Sequence, residues 1–148
     1  MKNVTKQAKL YKRILAYVID IVVINIIIVS SFKPVIGKII STKDFYDIYN
    51  FLLNNPSQLI SLIKITLTIA VLSLFYWSIL EFKLKQTIGK MLFQIYVTSE
   101  NKKLTFPQCL LRNLTKISFF ILWIDSITLL TNKKQRIFEI ISNTFVQE

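Results

Sequence analysis

The residues best suited to chemistry are Arg13 and Asp20, the first and last residues of the stretch RILAYVID. They are seven residues apart, or about two turns of an α-helix, so both side chains lie on one helix face. At a rise of about 1.5 Å per residue, Asp20 lies roughly 10 Å further along the apolar run than Arg13. An acid at that depth is suited to binding a cation or exchanging a proton during transport.

The same acid also has a structural interpretation. An Asp at the centre of a bilayer costs about 2.5–3.5 kcal/mol on insertion scales, so it requires a partner, a proton or water. Arg112 and Lys116, one helical turn apart in the third apolar segment, are natural partners that would fix the packing of two helices. Residue spacing alone leaves both interpretations open.

Two further acids are weaker candidates. Asp125 lies near Trp123 in the third apolar segment, and an interfacial polar residue is the favoured interpretation. Glu139 follows Arg136 by three residues on an amphipathic stretch. That spacing is typical of a solvated ion pair worth a few tenths of a kcal/mol.

Gly89 and Lys90, in the stretch QTIGK, invite comparison with a phosphate-binding loop. The loop requires an earlier glycine, where this chain has Leu84, and a hydroxyl residue after the lysine, where it has Met91. We therefore reject a phosphate-binding loop here.

The elements that must position these residues are membrane helices. The chain has 148 residues, of which 53% are hydrophobic and 18% charged, against about 25% charged in soluble domains. Its apolar segments, 14–32, 59–80 and 109–130, approach the roughly 20 residues of a membrane-spanning helix. Since lipid leaves no other partner for backbone groups, helix is favoured despite the many β-branched residues. The prediction is one all-α integral membrane domain covering 1–148, with two to three spans.

The connections carry weaker signals. Lys33 and Pro34 are predicted to end the first segment, and an amphipathic interfacial helix is predicted around Phe45–Leu52. The stretch 95–106 alternates in a manner that suggests a hairpin, and Thr105 with Gln108 predicts a capping box. The pattern of the C-terminal tail predicts an amphipathic segment followed by a strand-like one.

The net charge of +11 comes from cations placed mainly at the ends of apolar runs. This placement favours anionic lipid head groups as partners over nucleic acid. The first tail and the loop 81–108 each carry five cations, so both are predicted to be cytoplasmic in a multi-pass cell-membrane protein. Three full spans would place the basic C-terminal tail outside, whereas a re-entrant third segment would return it to the cytoplasm. Both topologies remain open.

Composition also restricts the chemistry. The chain has one cysteine, Cys109, and no histidine, which excludes an internal disulfide, Ser-His and Cys-His catalysis, and His-ligated zinc. We expect neither an enzyme nor a bound cofactor or metal.

Taken in order along the chain, three stretches resemble the motifs of the RDD family of small prokaryotic membrane proteins. RILAYVID resembles the first motif, the stretch from Lys85 to Leu114 the middle block, and QRIFEIISNTFV the closing motif. The matching residues are Arg13, Ala16, Asp20, Thr87, Gly89, Lys90, Val97, Arg112, Arg136, Glu139 and Thr144.

The chain departs from the family pattern at several positions. Glu139 stands where the family has its second aspartate, and Phe138 replaces the histidine before it. Lys85 replaces the first glycine of the middle block, and a lysine, Lys102 or Lys103, replaces the turn glycine.

The resemblance implies helical spans and a transport role, with some members reported as cation/proton antiporters. Asp20 would be the ion-responsive or proton-responsive group, and Arg13 would act on it and, with Glu139, anchor the tail. Since two or three spans hardly enclose a pathway, self-association is expected. The rival hypothesis is a non-transporting accessory or assembly subunit in which the buried charges are structural.

Overall fold

Two long apolar helices dominate the computed structural model, which describes residues 7–40, 44–99, 103–117, 121, 125 and 135–148. Helix α1 covers Leu10–Ile39 and helix α3 covers Pro56–Leu84, and each is long and apolar enough to cross a bilayer. Only 17% and 11% of their most apolar stretches are buried inside the protein. Apolar surface exposed on this scale is suited to lipid rather than to water.

Helix α1 runs past Pro34, so the prediction that Lys33 and Pro34 end the first segment is wrong. A π-helical turn, Asn25–Val29, precedes the proline, and the helix resumes over Ser30–Ile39. Proline removes one backbone donor, but a helix in an apolar environment has no alternative partner for its remaining backbone groups. Continuing the helix is therefore favoured over ending it.

The connection between the long helices contains the predicted short helix, α2, over Phe45–Asn54. Pro56 then begins α3 in the first-turn position, where a missing N–H has no consequence because that donor would be unpaired.

Helix α3 ends at Leu84, and the next residue, Lys85, adopts a left-handed conformation with φ of 58°. The chain then turns into the short helix α4, Ile88–Leu92, capped by Thr87, whose Oγ1 accepts from the Lys90 N–H. Gly89 brings α4 against α1: a Cβ at this position would lie 2.0 Å from the carbonyl oxygen of Ala16. Only a residue without a side chain permits this approach.

The strand-like stretch after α4 does not form the predicted hairpin. Strand β1, Tyr96–Ser99, pairs antiparallel with strand β2, Thr144–Gln147, in a register that places Val97 opposite Val146. Both valines are at most 2% exposed. The alternation predicted strands correctly, but pairing followed the buried valine faces and not sequence proximity.

Helix α5 covers Phe106–Asn113 and continues as a 3₁₀ turn over Leu114–Ile117. The predicted Gln108 half of the capping box is present, since the Thr105 N–H donates to Gln108 Oε1 at 3.0 Å. Beyond Ile117 the third apolar segment lies mostly outside the described residues. The prediction that this segment crosses the membrane therefore also falls outside them. Helix α6, Ile137–Ile141, leads into β2.

The buried residues of both long helices are concentrated at one end of the protein. In α1 they lie between Arg13 and Ile24, and in α3 between Ser73 and Glu81. The small core of Ala8, Ala16, Ile95 and Val146 lies at the same end. The start of α1, the end of α3 and the polar elements α4, α5, α6, β1 and β2 therefore share one compact end.

Candidate functional site

Charged side chains from distant parts of the chain are buried together at this compact end. The buried charged residues are Arg13, Asp20, Glu81, Lys90, Arg112, Asp125 and Glu139. A buried charge is tolerated only when it is paired or hydrogen-bonded, so the partners of each acid define its role.

Glu81, near the end of α3, is fully buried and forms ion pairs with three cations of the described chain. Its carboxylate forms ion pairs with Lys90, with Arg112 Nε at 3.1 Å and with Lys116 at 3.7 Å. Asn113 Nδ2 donates to the same carboxylate at 2.8 Å.

Sequence reasoning missed Glu81 because it assigned this residue to the polar loop after the second segment. A signal was available: Glu81 lies four residues after Trp77 and so on the same face as the buried end of α3.

Glu139, at the start of α6, is 3% exposed, so its interpretation as a solvated surface residue is wrong. Arg13 NH1 lies 3.3 Å from Oε2 and Arg112 NH2 lies 3.4 Å from Oε1. Burial disfavours the charged form, but the arginines outweigh it, and the pKa of the Glu139 carboxyl lies below its ordinary value. The anchoring of the tail to Arg13, which the resemblance implied, is matched by this contact.

Asp20 is 1% exposed, yet its partners differ in kind from those of the other acids. Thr87 Oγ1 donates to it at 2.6 Å, the Gly89 N–H at 2.9 Å and the Tyr76 hydroxyl at 3.3 Å. All three donors are neutral.

The predicted pairing of Asp20 with Arg112 or Lys116 is therefore wrong. Both cations contact Glu81 instead, because Glu81 at the end of α3 adjoins α5 and its 3₁₀ turn. The neutral donors of Asp20 come from α3, from the α4 cap and from α4 itself.

Gly89 and Lys90 each have a structural role in this fold, and neither role requires a phosphate-binding loop. The Gly89 backbone binds Asp20, and Lys90 Nζ donates to Glu81. Burial lowers the pKa of the Lys90 ammonium below its ordinary value, and Glu81 opposes this shift without cancelling it.

Asp125 is 1% exposed, which contradicts its interpretation as an interfacial polar residue. Its Oδ1 accepts a hydrogen bond from the Phe138 N–H at 3.1 Å. The carboxylate therefore pairs a backbone donor in the first turn of α6.

A cavity of about 20 Å³ lies among these charges. Its lining residues are Arg13, Tyr17, Asp20, Lys90, Arg112, Lys116, Arg136, Glu139 and Val146. In the part of the chain that the structure describes, no three His, Cys, Asp or Glu side chains come together as metal ligands. The lysine, arginine and carboxylate side chains that line the cavity are suited to binding small polar or charged species.

Long exposed apolar helices with a buried charge cluster at one end define a small helical membrane protein. The sequence model of the RDD family matches residues 7–143, and the chain belongs to the RDD family. The comparisons with curated proteins and with solved structures found no match.

The positions that carry the family motifs converge on the cavity or on its immediate contacts. Asp20 meets Thr87 and Gly89 from the middle block, and Glu139 meets Arg13 and Arg112. Lys85, which replaces a family glycine, occupies a left-handed backbone conformation that favours glycine. The left-handed backbone at this position explains why a glycine is suited to it.

Proposed function

We propose that this RDD protein moves a cation or small solute across the cell membrane, with cation/proton exchange as the specific mechanism. Asp20 is the proton-exchanging group. The observation that carries the proposal is the environment of Asp20, a buried carboxylate that borders the cavity and accepts hydrogen bonds from three neutral donors.

Two other acids of the cluster, Glu81 and Glu139, are less suited to this role. Protonating Glu81 would leave Lys90, Arg112 and Lys116 buried around a neutral group, and protonating Glu139 would do the same to Arg13 and Arg112. Removing one partner of a buried ion pair costs about 3–5 kcal/mol. Asp20 has no cation within ion-pair distance among the described residues, so its protonation carries no such cost.

The proposal includes a topology in which both termini lie in the cytoplasm. Strand β1 precedes the third apolar segment and β2 follows it, yet the two strands pair. Their pairing, together with the Arg13–Glu139 contact, supports an even number of membrane crossings between them. The basic compact end then faces the cytoplasm and its anionic head groups, as the positive-inside rule favours.

Self-association completes the proposal. Two spanning helices with mostly exposed apolar faces do not enclose a polar pathway, so we propose that copies of the chain assemble around one. No catalytic step is part of the proposed function.

The test compares Asp20→Asn with Asp47→Asn in reconstituted liposomes containing a pH-sensitive dye. Both substitutions remove one negative charge, but Asp47 is exposed on α2, whereas Asp20 is buried. We expect sodium- or potassium-dependent proton flux to be abolished in the first variant and retained in the second. Membrane insertion and oligomer size should be unchanged in both.

Full flux in Asp20→Asn would exclude Asp20 from transport. Unfolding of that variant is separated from loss of transport by measuring thermal stability in detergent. In addition, Asp20→Glu keeps the ionisable group and should retain partial flux.

The alternative function, a non-transporting accessory or assembly subunit, is favoured by the charge pairing itself. Glu81 and Glu139 tie α1, α3, α4, α5 and the tail together, which a purely structural role would also require. In that case the original protein shows no flux, and Asp20→Asn changes only its stability or its partners.

A further inference from the structure

We infer that the cavity is a binding site for a small anion of about the size of a halide ion. The inference concerns the cations of the cluster and is independent of the proposed transport role of Asp20.

The charge balance around the cavity is positive. Five cations border it: Arg13, Lys90, Arg112, Lys116 and Arg136. Three carboxylates either border it or pair with those cations, namely Asp20, Glu81 and Glu139. With Asp125 counted as the fourth buried acid of the cluster, one positive charge is left without a matching carboxylate among these residues, and a low-dielectric site amplifies such an imbalance. An anion in the cavity would reduce it.

Arg13 and Lys116 are among the cations whose donor capacity is not fully used by the described residues. Arg13 is 5% exposed, and its buried Nε has no hydrogen-bond partner among the described residues. Lys116 Nζ lies 3.7 Å from Glu81 Oε1 and 4.7 Å from the centroid of the Trp77 ring. The first distance is longer than a hydrogen bond, and the second is a contact with the ring face. Both side chains border the cavity and can donate to a ligand there.

The size of the cavity restricts the ligand. About 20 Å³ exceeds the roughly 10–15 Å³ that a single water requires, so one water-sized species fits. The surplus of donors and the positive charge favour an anion over water. The volume of about 20 Å³ favours a single-atom anion over a tetrahedral oxyanion, which has five heavy atoms.

Bromide quenching of Trp77 fluorescence in detergent tests the inference without any transport assay. Trp77 is suited to report because Lys116 lies over its ring and the cavity-lining Tyr17 stacks on it at 6.1 Å. Replacing the other tryptophan, Trp123, with phenylalanine leaves Trp77 as the only reporter. We expect a saturable quenching component that chloride displaces and gluconate does not.

The matched variants are Lys116→Gln and Lys83→Gln, which remove the same charge from the cavity and from an exposed position on α3. Losing one charged donor should weaken bromide binding about tenfold or more in the first variant and leave it unchanged in the second. Glu81 keeps Lys90 and Arg112 in Lys116→Gln, so this variant should fold, and its thermal unfolding checks this.

Quenching that rises linearly with bromide, equally in all three proteins, would overturn the inference. Equal displacement of bromide by chloride and by sulfate or phosphate would overturn the assigned size. Saturable quenching that Lys116→Gln weakens and chloride selectively displaces would establish the site.

Discussion

At the scale of single residues, three acids of the cluster, Asp20, Glu81 and Glu139, divide into two kinds. Glu81 and Glu139 are each held by cations, whereas Asp20 is held by a hydroxyl, a phenol and a backbone N–H. The permanently paired charge that one of the two interpretations assigned to Asp20 is provided instead by Glu81. Removing the charge should therefore have different consequences at the two sites. We expect loss of stability at Glu81 and loss of proton exchange at Asp20.

The substitution Glu81→Gln tests the structural role. It keeps the shape of the side chain but leaves Lys90, Arg112 and Lys116 without their carboxylate. We expect the free energy of unfolding in detergent to fall by about 3–5 kcal/mol. Glu148→Gln, which removes the partly exposed partner of Lys12, is the control and should cause a much smaller decrease. Comparable losses in the two variants would contradict the assignment of Glu81.

At the scale of elements, the position of α4 on α1 decides whether Asp20 is satisfied. The two helices approach so closely that Gly89 lies directly against the backbone of Ala16. The same approach brings the Gly89 N–H within 2.9 Å of Asp20. One glycine thus controls both the packing of α4 and the partners of the acid.

The substitution Gly89→Ala should therefore displace α4 from α1. Its added Cβ would meet the Ala16 carbonyl oxygen at 2.0 Å, and backbone atoms cannot yield as a flexible side chain can. We expect a loss of about 3 kcal/mol in stability together with loss of proton flux.

Gly37→Ala is the matched control, since nothing lies within 4 Å of a Cβ at Gly37. In the interior of a helix, Ala is more favourable than Gly by about 0.8–1.0 kcal/mol, so this variant should be slightly more stable. Thermal unfolding in detergent distinguishes the two, and equal behaviour of both variants would exclude the close approach of α4.

At the scale of the whole molecule, the antiparallel pairing of β1 with β2 connects the middle of the chain to its end. The Arg13–Glu139 contact connects that end to the start of α1. Both connections support the proposed topology, in which the N-terminus, the middle block and the C-terminal tail lie on one side of the membrane. In that proposal the third segment is re-entrant and does not form a full span.

Cysteine accessibility in intact cells tests this topology. In a Cys109→Ser background, single cysteines at Lys2 and at Glu148 should both resist a membrane-impermeant thiol reagent until the membrane is permeabilised. A cysteine at Thr42, in the connection between the two spans, should react from outside. Labelling of the Glu148 position from outside would instead establish three full spans.

Sequence alone was sufficient for the properties that depend on local pattern. Apolar runs predicted the two long helices, since lipid admits no other backbone arrangement for them. The T-x-x-Q pattern predicted a capping box, of which the Gln108 half is present, and the order of motifs predicted the family. The helices and the capping box are set by residues close together in the chain, and the family by short motifs in a fixed order.

Only the tertiary structure decided which charges are partners. Glu81 lies near Arg112, and Arg13 near Glu139, across separations of 31 and 126 residues, which no local spacing encodes. The pairing of β1 with β2 and the contact of Gly89 with Ala16 are of the same long-range kind. Periodicity specifies the face on which a residue lies, but its partner depends on which other element packs on that face.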